Sequence, residues 1–376
     1  MTATEDEPGR FGLNEASEET DTRQGFDFPP PERKVVTQSY DLSVQTLAEQ
    51  WNTDLLVLPE IQREYVWDDA RASRLIESLL LNIPIPVVYF AETPDAKYEV
   101  IDGHQRIRSI VRFLKNQFRL RSLAVLSEYN GKRYFELPER EQRFLVMRSI
   151  RAVIIGSDSH PNMKFEIFER LNTGSIALNA QELRNSLYRG AFNRLIHQLV
   201  EVTAFRDVLG RPTPRRRMVD EELVLRFLAL HDDYSRYKPP LKRFLNEFMA
   251  AHRDPTEQWL QRKADVFETT IRKVVSGLGP SAFRISDERG RPLEGLVVRA
   301  LFDAQMLTFA HVTDDPTEPF RETLLAQMAP LYRDEEFMDV LRRATGDRSR
   351  IRFRVRRVAE ATAQAGLTVE MPRSWL

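Results

Sequence analysis

The sequence predicts an α+β protein with two folded domains, a mixed α/β domain followed by an all-helical one. In the first half, short apolar runs typical of strands alternate with amphipathic segments of helical period. Beyond Leu178 strand patterns almost vanish, and long amphipathic segments follow one another. The predicted divisions are a disordered tail at 1–39, an α/β domain at 40–185 and a helical domain at 186–376.

Composition places the chain among globular proteins. Its 376 residues are 42% hydrophobic and 10% aromatic, which is enough to form a real core. No run approaches the roughly eighteen uncharged apolar residues of a membrane span, and the N-terminus is acidic where a signal peptide is basic and apolar. We therefore expect a cytoplasmic protein without membrane contact. The absence of cysteine excludes disulfides, thiolate metal sites and cysteine nucleophiles.

The N-terminal tail is strongly acidic. Residues 1–32 contain nine acidic and two basic residues, a balance of −7, so the remaining chain is near +6. The tail lacks periodicity and ends in Pro29, Pro30 and Pro31, a composition typical of disorder. We expect a solubilising leader, with a specific binding arm as the alternative.

The elements of the α/β domain follow from the spacing of their apolar residues. Four segments have helical spacing and four short runs have the composition of strands. In the segment 68–81, Leu75, Ile76, Leu79 and Leu80 share one helical face. The predicted elements, in chain order, are the helix Val44–Trp51, the strand Asp54–Leu58, the helix Asp68–Leu81, the strands Pro84–Phe90 and Tyr98–Ile101, a helix from about His104, the strand Ile150–Ile155 and the helix Asn162–Leu171.

The helical domain is predicted from seven amphipathic segments. They show no internal repeat of fixed period. The segments are Gln181–Val200, Val219–His231, Leu241–Ala251, Thr256–Ser276, Leu293–His311, Phe320–Leu331 and Asp347–Ala363.

One turn in the α/β domain is more polar than a structural turn requires. The stretch YEVIDGHQR, residues 98–106, ends a strand in Asp-Gly and continues into a helix, because apolar residues recur at helical spacing from Ile107 to Leu114. The unpaired N–H groups and the positive end of that helix dipole face the same small space. Such a space suits an anion.

Each residue of this turn has a role in a nucleotide-binding interpretation. Gly103 allows close approach of the backbone to a phosphate, and Arg106 can bind the phosphate bidentately. Asp102 can hold a sugar hydroxyl or a Mg²⁺ ion, while His104 and Gln105 can position a water. The alternative is an ordinary strand-to-helix turn in which Asp102 caps the helix and Arg106 lies on a solvated face.

Three other segments carry polar residues that the fold does not require. The stretch LPEIQREYVW offers an arginine and aromatic rings as a platform for a phosphate and a base. FERLNTG ends a helix in small polar residues, and LNAQELRN begins the next helix with Glu182 and Arg184. The polar and aromatic residues of the first two segments are Gln62, Arg63, Tyr65, Trp67, Arg170, Asn172 and Thr173.

The four segments, in this order, resemble the DGQQR-motif family. Its domain forms the N-terminal part of Gmr-type (GmrSD) modification-dependent restriction endonucleases and occurs in related phage-defence proteins. The similarity covers roughly residues 40–200. It implies a fold similar to the ParB and sulfiredoxin group, in which the turn after a strand binds nucleotide phosphates. The family motif falls on Asp102, Gly103, Gln105 and Arg106, with Gln62 and Arg63 as upstream partners.

The sequence departs from the family pattern in two places. Position 104 is His where the family usually has Gln, which adds a group that titrates near neutral pH. Family members that cut DNA usually add an HNH-type nuclease domain, but the six histidines here are scattered, with no pair at metal-ligand spacing on a helix. We expect no independent nuclease activity. A nuclease subunit is a candidate partner.

Two basic clusters in the helical half are candidate DNA contacts. Arginine is suited both to phosphate contacts and to intramolecular ion pairs, so pairing with neighbouring acids is the alternative. The candidate residues are Arg215, Arg216 and Arg217 in the loop RPTPRRR, and Arg350, Arg354 and Arg357 in a helix beginning near Thr345-Gly346.

We expect a nucleoside-triphosphate-binding and hydrolysing protein of a DNA-targeting or phage-defence system. The alternative is a non-catalytic DNA-binding or adaptor protein with a vestigial pocket. In the first hypothesis, Asp102, His104, Gln105 and Arg106 are catalytic, with Asp102 also holding Mg²⁺. The predicted nucleotide contacts are Gln62, Arg63, Tyr65, Trp67, Gly103, Arg106, Arg170, Asn172 and Thr173.

Overall fold

The computed structural model describes residues 33–58, 65–93, 95–171, 179–287, 289–293, 295–316 and 318–375. These residues form two compact units, an α/β unit up to Leu171 and a helical unit from Asn179. Each unit has its own hydrophobic core. The predicted fold class, a mixed α/β region followed by helices, is confirmed.

The α/β unit contains one mixed five-stranded sheet. Its strands are β1 Thr37–Ser43, β2 Leu56–Val57, β3 Val88–Glu92, β4 Tyr98–Asp102 and β5 Ser149–Ile155. Their order across the sheet is β1-β5-β3-β4-β2. β1 pairs antiparallel with β5, and β3 antiparallel with β4, while β3 runs parallel to β5 and β2 parallel to β4.

Five helices pack with this sheet in the described part of the α/β unit. Side-chain caps fix two helix starts, because Ser43 Oγ accepts from the Thr46 N–H at 3.0 Å and Asp68 Oδ1 from the Arg71 N–H at 2.7 Å. The predicted apolar face of the second helix is buried in the core. The helices are α1 Val44–Asn52, α2 Asp69–Leu80, α3 His104–Leu114, α4 Glu139–Met147 and α5 Pro161–Leu171.

Two boundaries in this unit differ from the sequence prediction. The predicted tail extends to residue 39, but β1 already begins at Thr37. This strand is polar and mostly exposed at the sheet edge, so it lacks the alternation that identifies a half-buried strand. β3 begins at Val88 rather than at Pro84, because Pro84 and Pro86 have no N–H to donate to a sheet.

The helical unit contains ten helices in its described residues. None of the described helices has the length and apolarity required to span a bilayer. The helices are α6 Ala180–Leu187, α7 Ala191–Leu199, α8 Thr203–Leu209, α9 Val219–Asp233, α10 Leu241–Ala251, α11 Glu257–Leu278, α12 Arg299–Phe309, α13 Glu318–Met328, α14 Glu335–Arg342 and α15 Arg348–Gln364.

The first helices of this unit correct the predicted extent of one helix. The predicted helix 181–200 is broken at Gly190, whose extended backbone lies so close to the Arg253 carbonyl that a Cβ would collide with it. The predicted domain boundary at 185/186 falls inside α6, which belongs to the helical unit. Arg184 of α6 is buried there, and its Nε donates to Asn246 Oδ1 of α10 at 2.8 Å.

A buried ion cluster joins three helices of the helical unit. Asp303 of α12 accepts from Arg226 Nη2 of α9 at 2.7 Å and from Arg354 Nη2 of α15 at 3.0 Å. Arg354 also donates to the Thr345 carbonyl at 2.7 Å. All three charged side chains are at most 1% exposed. Since one carboxylate holds two buried guanidinium groups, its loss removes the shortest ionic contact of both.

We expect Asp303→Asn to lower the free energy of unfolding by about 3–5 kcal/mol, the cost of removing one partner from a buried ion pair. Chemical denaturation measures the change. The matched control is Asp339→Asn on α14, whose exposed carboxylate pairs with Arg350 at 2.7 Å and should cost little. Equal stability of the two variants would show that the buried cluster contributes no more than a surface pair.

Candidate functional site

The polar turn predicted at residues 102–106 joins β4 directly to α3 through one glycine. Gly103 has φ +99°, in the left-handed region, and is buried. A Cβ at this position would lie 2.5 Å from Val88 Cγ1 of β3, so a larger residue meets both backbone strain and a collision. Gly103 therefore permits both the sharp turn and the close packing of the helix start on β3.

The start of α3 is not capped by a side chain. Gly103 occupies the N-cap position, and the first turn of α3 contains no acidic residue. Asp102 therefore does not cap the helix, which was the alternative interpretation of the sequence. An uncapped helix start presents backbone N–H groups and positive potential to its surroundings.

Arg106 is engaged by the protein itself. Its Nη2 donates to Asp102 Oδ2 at 2.5 Å, while its Nη1 donates to the carbonyls of Pro86 and of Val87, the latter at 3.2 Å. The side chain is only 10% exposed. This geometry differs from the predicted guanidinium facing a phosphate. These contacts tie the turn to the segment leading into β3, and the predicted contact of Arg106 with a phosphate stays a prediction.

Gln105 connects the turn to the residues that precede α2. Its Oε1 accepts from the backbone N–H groups of Val66 at 3.1 Å and of Trp67 at 3.3 Å. Two backbone donors on one atom identify that atom as the oxygen, so the amide nitrogen faces His104 Nε2 at 2.7 Å. His104 Nε2 is then the acceptor, and the neutral ring carries its proton on Nδ1.

The surroundings of His104 favour this neutral form. Burial is the main cause that lowers the pKa of His104, and the charges of Arg108 and Arg106 lower it further, while Asp102 raises it. A protonated ring would present an N–H to the Gln105 amide nitrogen. Protonation of His104 is therefore incompatible with the observed hydrogen bond.

The two predicted aromatic contacts lie beside arginines next to this turn. Tyr65 Oη is 2.8 Å from Ser109 Oγ of α3, and its ring centroid is 4.4 Å from the Arg112 guanidinium carbon. The Arg71 guanidinium carbon lies 4.6 Å from the Trp67 ring centroid. Both rings are only partly buried. Cation–π contacts thus hold an arginine and aromatic surface beside the helix start.

Asp102 is the predicted metal ligand. Its side chain is 42% exposed, and one of its oxygens is paired with Arg106. Within the described ranges, no three acidic or histidine side chains come together in a way that could hold a metal ion. A single carboxylate is compatible with Mg²⁺ only when phosphates and waters supply the other ligands.

Several predicted nucleotide contacts are not tested by the described residues. Gln62, Arg63, Asn172 and Thr173 lie outside the described residues. Arg170 pairs with Glu166 on its own helix at 2.8 Å, and its side chain is 77% exposed. The structure thus brings together the turn residues with Tyr65 and Trp67, and leaves the other predicted contacts untested.

The sequence analysis did not single out Ser109 and Arg112, which lie one and two helical turns after Gln105 on α3. Ser109 Oγ donates to the Gln105 carbonyl at 2.7 Å and contacts Tyr65, while Arg112 Nη2 pairs with Asp69 of α2 at 3.2 Å. Helical spacing from the motif was the signal that could have identified them.

Most of the arginines predicted to contact DNA in the helical unit pair with carboxylates of the protein itself. Arg354 is fully buried on Asp303, so its predicted contact with DNA is wrong. Arg350 and Arg357 each pair with a carboxylate at 2.7 Å, and Arg217 pairs with Glu182 at 3.3 Å. Arg215 lies 3.8 Å from Asp220, and the side chain of Arg216 is outside the described part. Contact with DNA stays a prediction for the residues other than Arg354.

Residues 44–189 match the family described as the N-terminal domain of the GmrSD restriction endonuclease. This match confirms the resemblance drawn from the four motifs. The matched range contains β2 to β5 and α6, but not β1. No curated protein and no solved structure shows a significant match.

Substitution of Gly103 by Ala tests the close packing of the turn. We expect a loss of about 1–2 kcal/mol for the left-handed backbone and about 1–3 kcal/mol more for the collision with Val88. Gly131→Ala is the matched control, since Gly131 has φ +82° but nothing within 4 Å of its Cβ position. Chemical denaturation of both variants should show the larger loss for Gly103→Ala, and equal losses would exclude the steric term.

His104 should make stability depend on pH. Because its pKa is lowered in the folded state, the unfolded chain binds a proton more readily, and stability falls as the pH drops below about 6.5. His104→Gln removes this term. We therefore expect the wild type to lose free energy of unfolding relative to His104→Gln as the pH falls from roughly 8 to roughly 5.5, a range that spans the ordinary His pKa. A difference that does not change with pH would refute the assignment.

Proposed function

We propose, from the premise that residues 44–189 form a domain of the GmrSD N-terminal family, that this protein belongs to a restriction or phage-defence system. In the proposal, its α/β unit binds a nucleoside triphosphate at the turn between β4 and α3. The protein works in the cytoplasm, where both nucleotide and target DNA are present.

The observation that carries this proposal is the uncapped start of α3 behind a left-handed glycine. N–H groups at such a position bind phosphate oxygens without needing a free guanidinium. The half-exposed Asp102 lies one residue before the glycine, and Gln105 holds the backbone of Val66 and Trp67 against the helix. An anion site and an aromatic surface therefore adjoin each other, as recognition of a phosphate and a base requires.

The residues present fit a Mg²⁺ ion that arrives with the nucleotide. Asp102 can contribute its second oxygen, which is not the one bound by Arg106. Bound in this way, Mg²⁺ would neutralise phosphate charge. Arg106 would act on the ion indirectly, because its bond to Oδ2 fixes the orientation of the carboxylate.

The two side chains predicted to assist hydrolysis, His104 and Gln105, are already engaged by the protein. An attacking water needs a group that orients it or accepts its proton. His104 Nε2 already accepts from Gln105, and Gln105 Oε1 already accepts two backbone N–H groups. Since both candidate groups are engaged, we propose that binding is the primary role and that turnover is slow.

A second candidate function is a non-catalytic adaptor that binds nucleotide or DNA without turnover. The engagement of Arg106, Gln105 and His104 by the protein favours it. In both candidates DNA cleavage is assigned to a partner nuclease subunit, because the sequence offers no histidine pair at the spacing of a helical metal site.

A thermal-shift screen of ATP, GTP, CTP and UTP with Mg²⁺ tests binding. A nucleotide at one hundred times its Kd should stabilise the protein by about 2.7 kcal/mol. We expect Asp102→Asn to weaken the Mg²⁺-dependent part of the binding by about tenfold or more, because it removes the ionic ligand. Asp95→Asn, in the turn between β3 and β4, is the control outside the site.

A phosphate-release assay on the same proteins separates the two candidates. Slow release that Asp102→Asn abolishes supports a nucleotide-hydrolysing component. Nucleotide binding without release supports the adaptor. Absence of a thermal shift with all four nucleotides would rule out the nucleotide site in the α/β unit.

A further inference from the structure

Arg148, the single residue between α4 and β5, is held by backbone carbonyls rather than by an acid. Its Nε donates to the Leu79 carbonyl at 2.9 Å and its Nη2 to the Leu80 carbonyl at 3.1 Å. Both carbonyls lie at the end of α2, where the helix dipole attracts a cation. Within the described part of the chain, Arg148 forms no ion pair and its Nη1 group makes no hydrogen bond. One charged donor group of a fixed guanidinium is therefore left for a ligand.

The arginines before and after Arg148 in the sequence are ion-paired. Arg143 Nη1 of α4 lies 3.5 Å from Glu139 Oε2, and Arg151 Nη2 of β5 lies 2.9 Å from Asp41 Oδ2 of β1. α4 as a whole contains two glutamates and two arginines, so its own charges balance. Arg148 therefore adds a positive charge that α4 does not neutralise.

The acid of α2 that lies nearest to the end of this helix is engaged elsewhere. Glu77 is buried, and its Oε1 accepts from the backbone N–H groups of Val125 at 2.8 Å and of Leu126 at 2.9 Å. The carboxylate thus fixes the loop 124–126 rather than pairing with the guanidinium at the end of α2.

Three large apolar side chains are exposed beside this guanidinium. Ile83, in the turn after α2, lines the same groove as Arg148. The ring centroid of Phe144 is 5.7 Å from the guanidinium carbon of Arg148 and 5.1 Å from that of Arg140. Met147, which directly precedes Arg148, is 72% exposed. Exposed apolar side chains around an arginine are typical of a surface that binds another protein.

The groove beside Arg148 is small. It has a volume of about 230 Å³, and Asn82, Ser149 and the apolar residues 83–85 line it together with Arg148. Pockets for small molecules and cofactors usually measure roughly 300–1,000 Å³. The groove therefore suits one or two side chains of a peptide better than a nucleotide.

We propose that this groove binds an acidic segment of a partner protein, with a carboxylate on Arg148 and an adjoining apolar side chain against Ile83, Phe144 and Met147. The single charge of Arg148 matches one carboxylate, whereas a phosphorylated side chain would bring about −1.5 to −2. Because the α2 carbonyls already fix the guanidinium, little side-chain entropy is lost when the carboxylate binds.

The groove adjoins the candidate nucleotide site without including it. Ile85 lines the groove, and the carbonyls of the next two residues, Pro86 and Val87, accept from Arg106 Nη1. None of the residues 102–106 lines the groove. Binding of the partner therefore requires no nucleotide at the turn.

Two blocked peptides that differ only in charge test the groove. The acidic peptide is acetyl-Asp-Phe-Asp-Phe-amide, and its uncharged match is acetyl-Asn-Phe-Asn-Phe-amide. Each is titrated into the full-length protein labelled with ¹³C at the methionine methyl groups, with the Met147 signal assigned by its loss in Met147→Leu. We expect the acidic peptide to shift the Met147 signal and to bind about tenfold tighter than the uncharged one, because a charge-assisted hydrogen bond is stronger than a neutral one.

Arg148→Gln should weaken binding of the acidic peptide by about tenfold, since it removes the charged donor. It also removes the bonds to α2, so Ile83→Glu is the second variant. Ile83→Glu keeps those bonds and places a like charge in the groove. Arg143→Gln on α4 is the matched control and should bind as the wild type does, because Arg143 is exposed and already paired with Glu139.

The site is overturned if the two peptides bind equally, if the Met147 signal does not shift, or if Arg148→Gln and Ile83→Glu both keep wild-type affinity. Sedimentation velocity tests a different occupant. A wild-type dimer that Ile83→Glu converts to a monomer would show that a second copy of the chain fills the groove, and would overturn the acidic partner. These variants leave residues 102–106 unchanged, so nucleotide binding at the turn is scored separately.

Discussion

The arrangement of the candidate site depends on the left-handed backbone of Gly103. With a single residue between β4 and α3, the first three side chains of the helix are placed immediately beside the end of the sheet. Arg106 turns back toward Asp102 and the carbonyls before β3, while Gln105 reaches the backbone before α2. A Cβ at position 103 would lie 2.5 Å from Val88 Cγ1, so the turn that carries these contacts could not keep its present packing on β3.

The contacts of the motif residues in the folded protein differ from those that their composition suggests. Asp, Gln and Arg in one turn look like ligand-binding groups, because each has strong hydrogen-bonding capacity. In the folded protein, Gln105 and Arg106 form hydrogen bonds with backbone groups of two other segments. They hold the turn against these segments, whereas the Asp102 side chain is 42% exposed and the rings of Tyr65 and Trp67 are only partly buried. Residues that characterise a binding motif can thus act mainly as its support.

The helical unit uses arginine in two distinct ways. Arg226 and Arg354 are fully buried on Asp303, where the charges are paired and the geometry of the fork is used. Such pairs define how α9, α12 and α15 meet, in agreement with the cost of leaving a buried charge unpaired. Around Asp220 two arginines approach one buried carboxylate, and Arg206 keeps buried donors without a hydrogen-bond partner among the described residues.

The sequence by itself determined the class of the fold, most element positions and the identity of the turn. Periodicity identified α2 and α15, and the Asp-Gly step identified the end of β4, because these features depend on local spacing and backbone preference. The sequence did not reveal the polar edge strand β1, the break at Gly190 or the burial of Arg354. These features were decided only by tertiary structure. The edge strand β1 is held by hydrogen bonds to the backbone of β5, and the helix break at Gly190 is imposed by the neighbouring Arg253 carbonyl. The burial of Arg354 follows from the position of Asp303 opposite it.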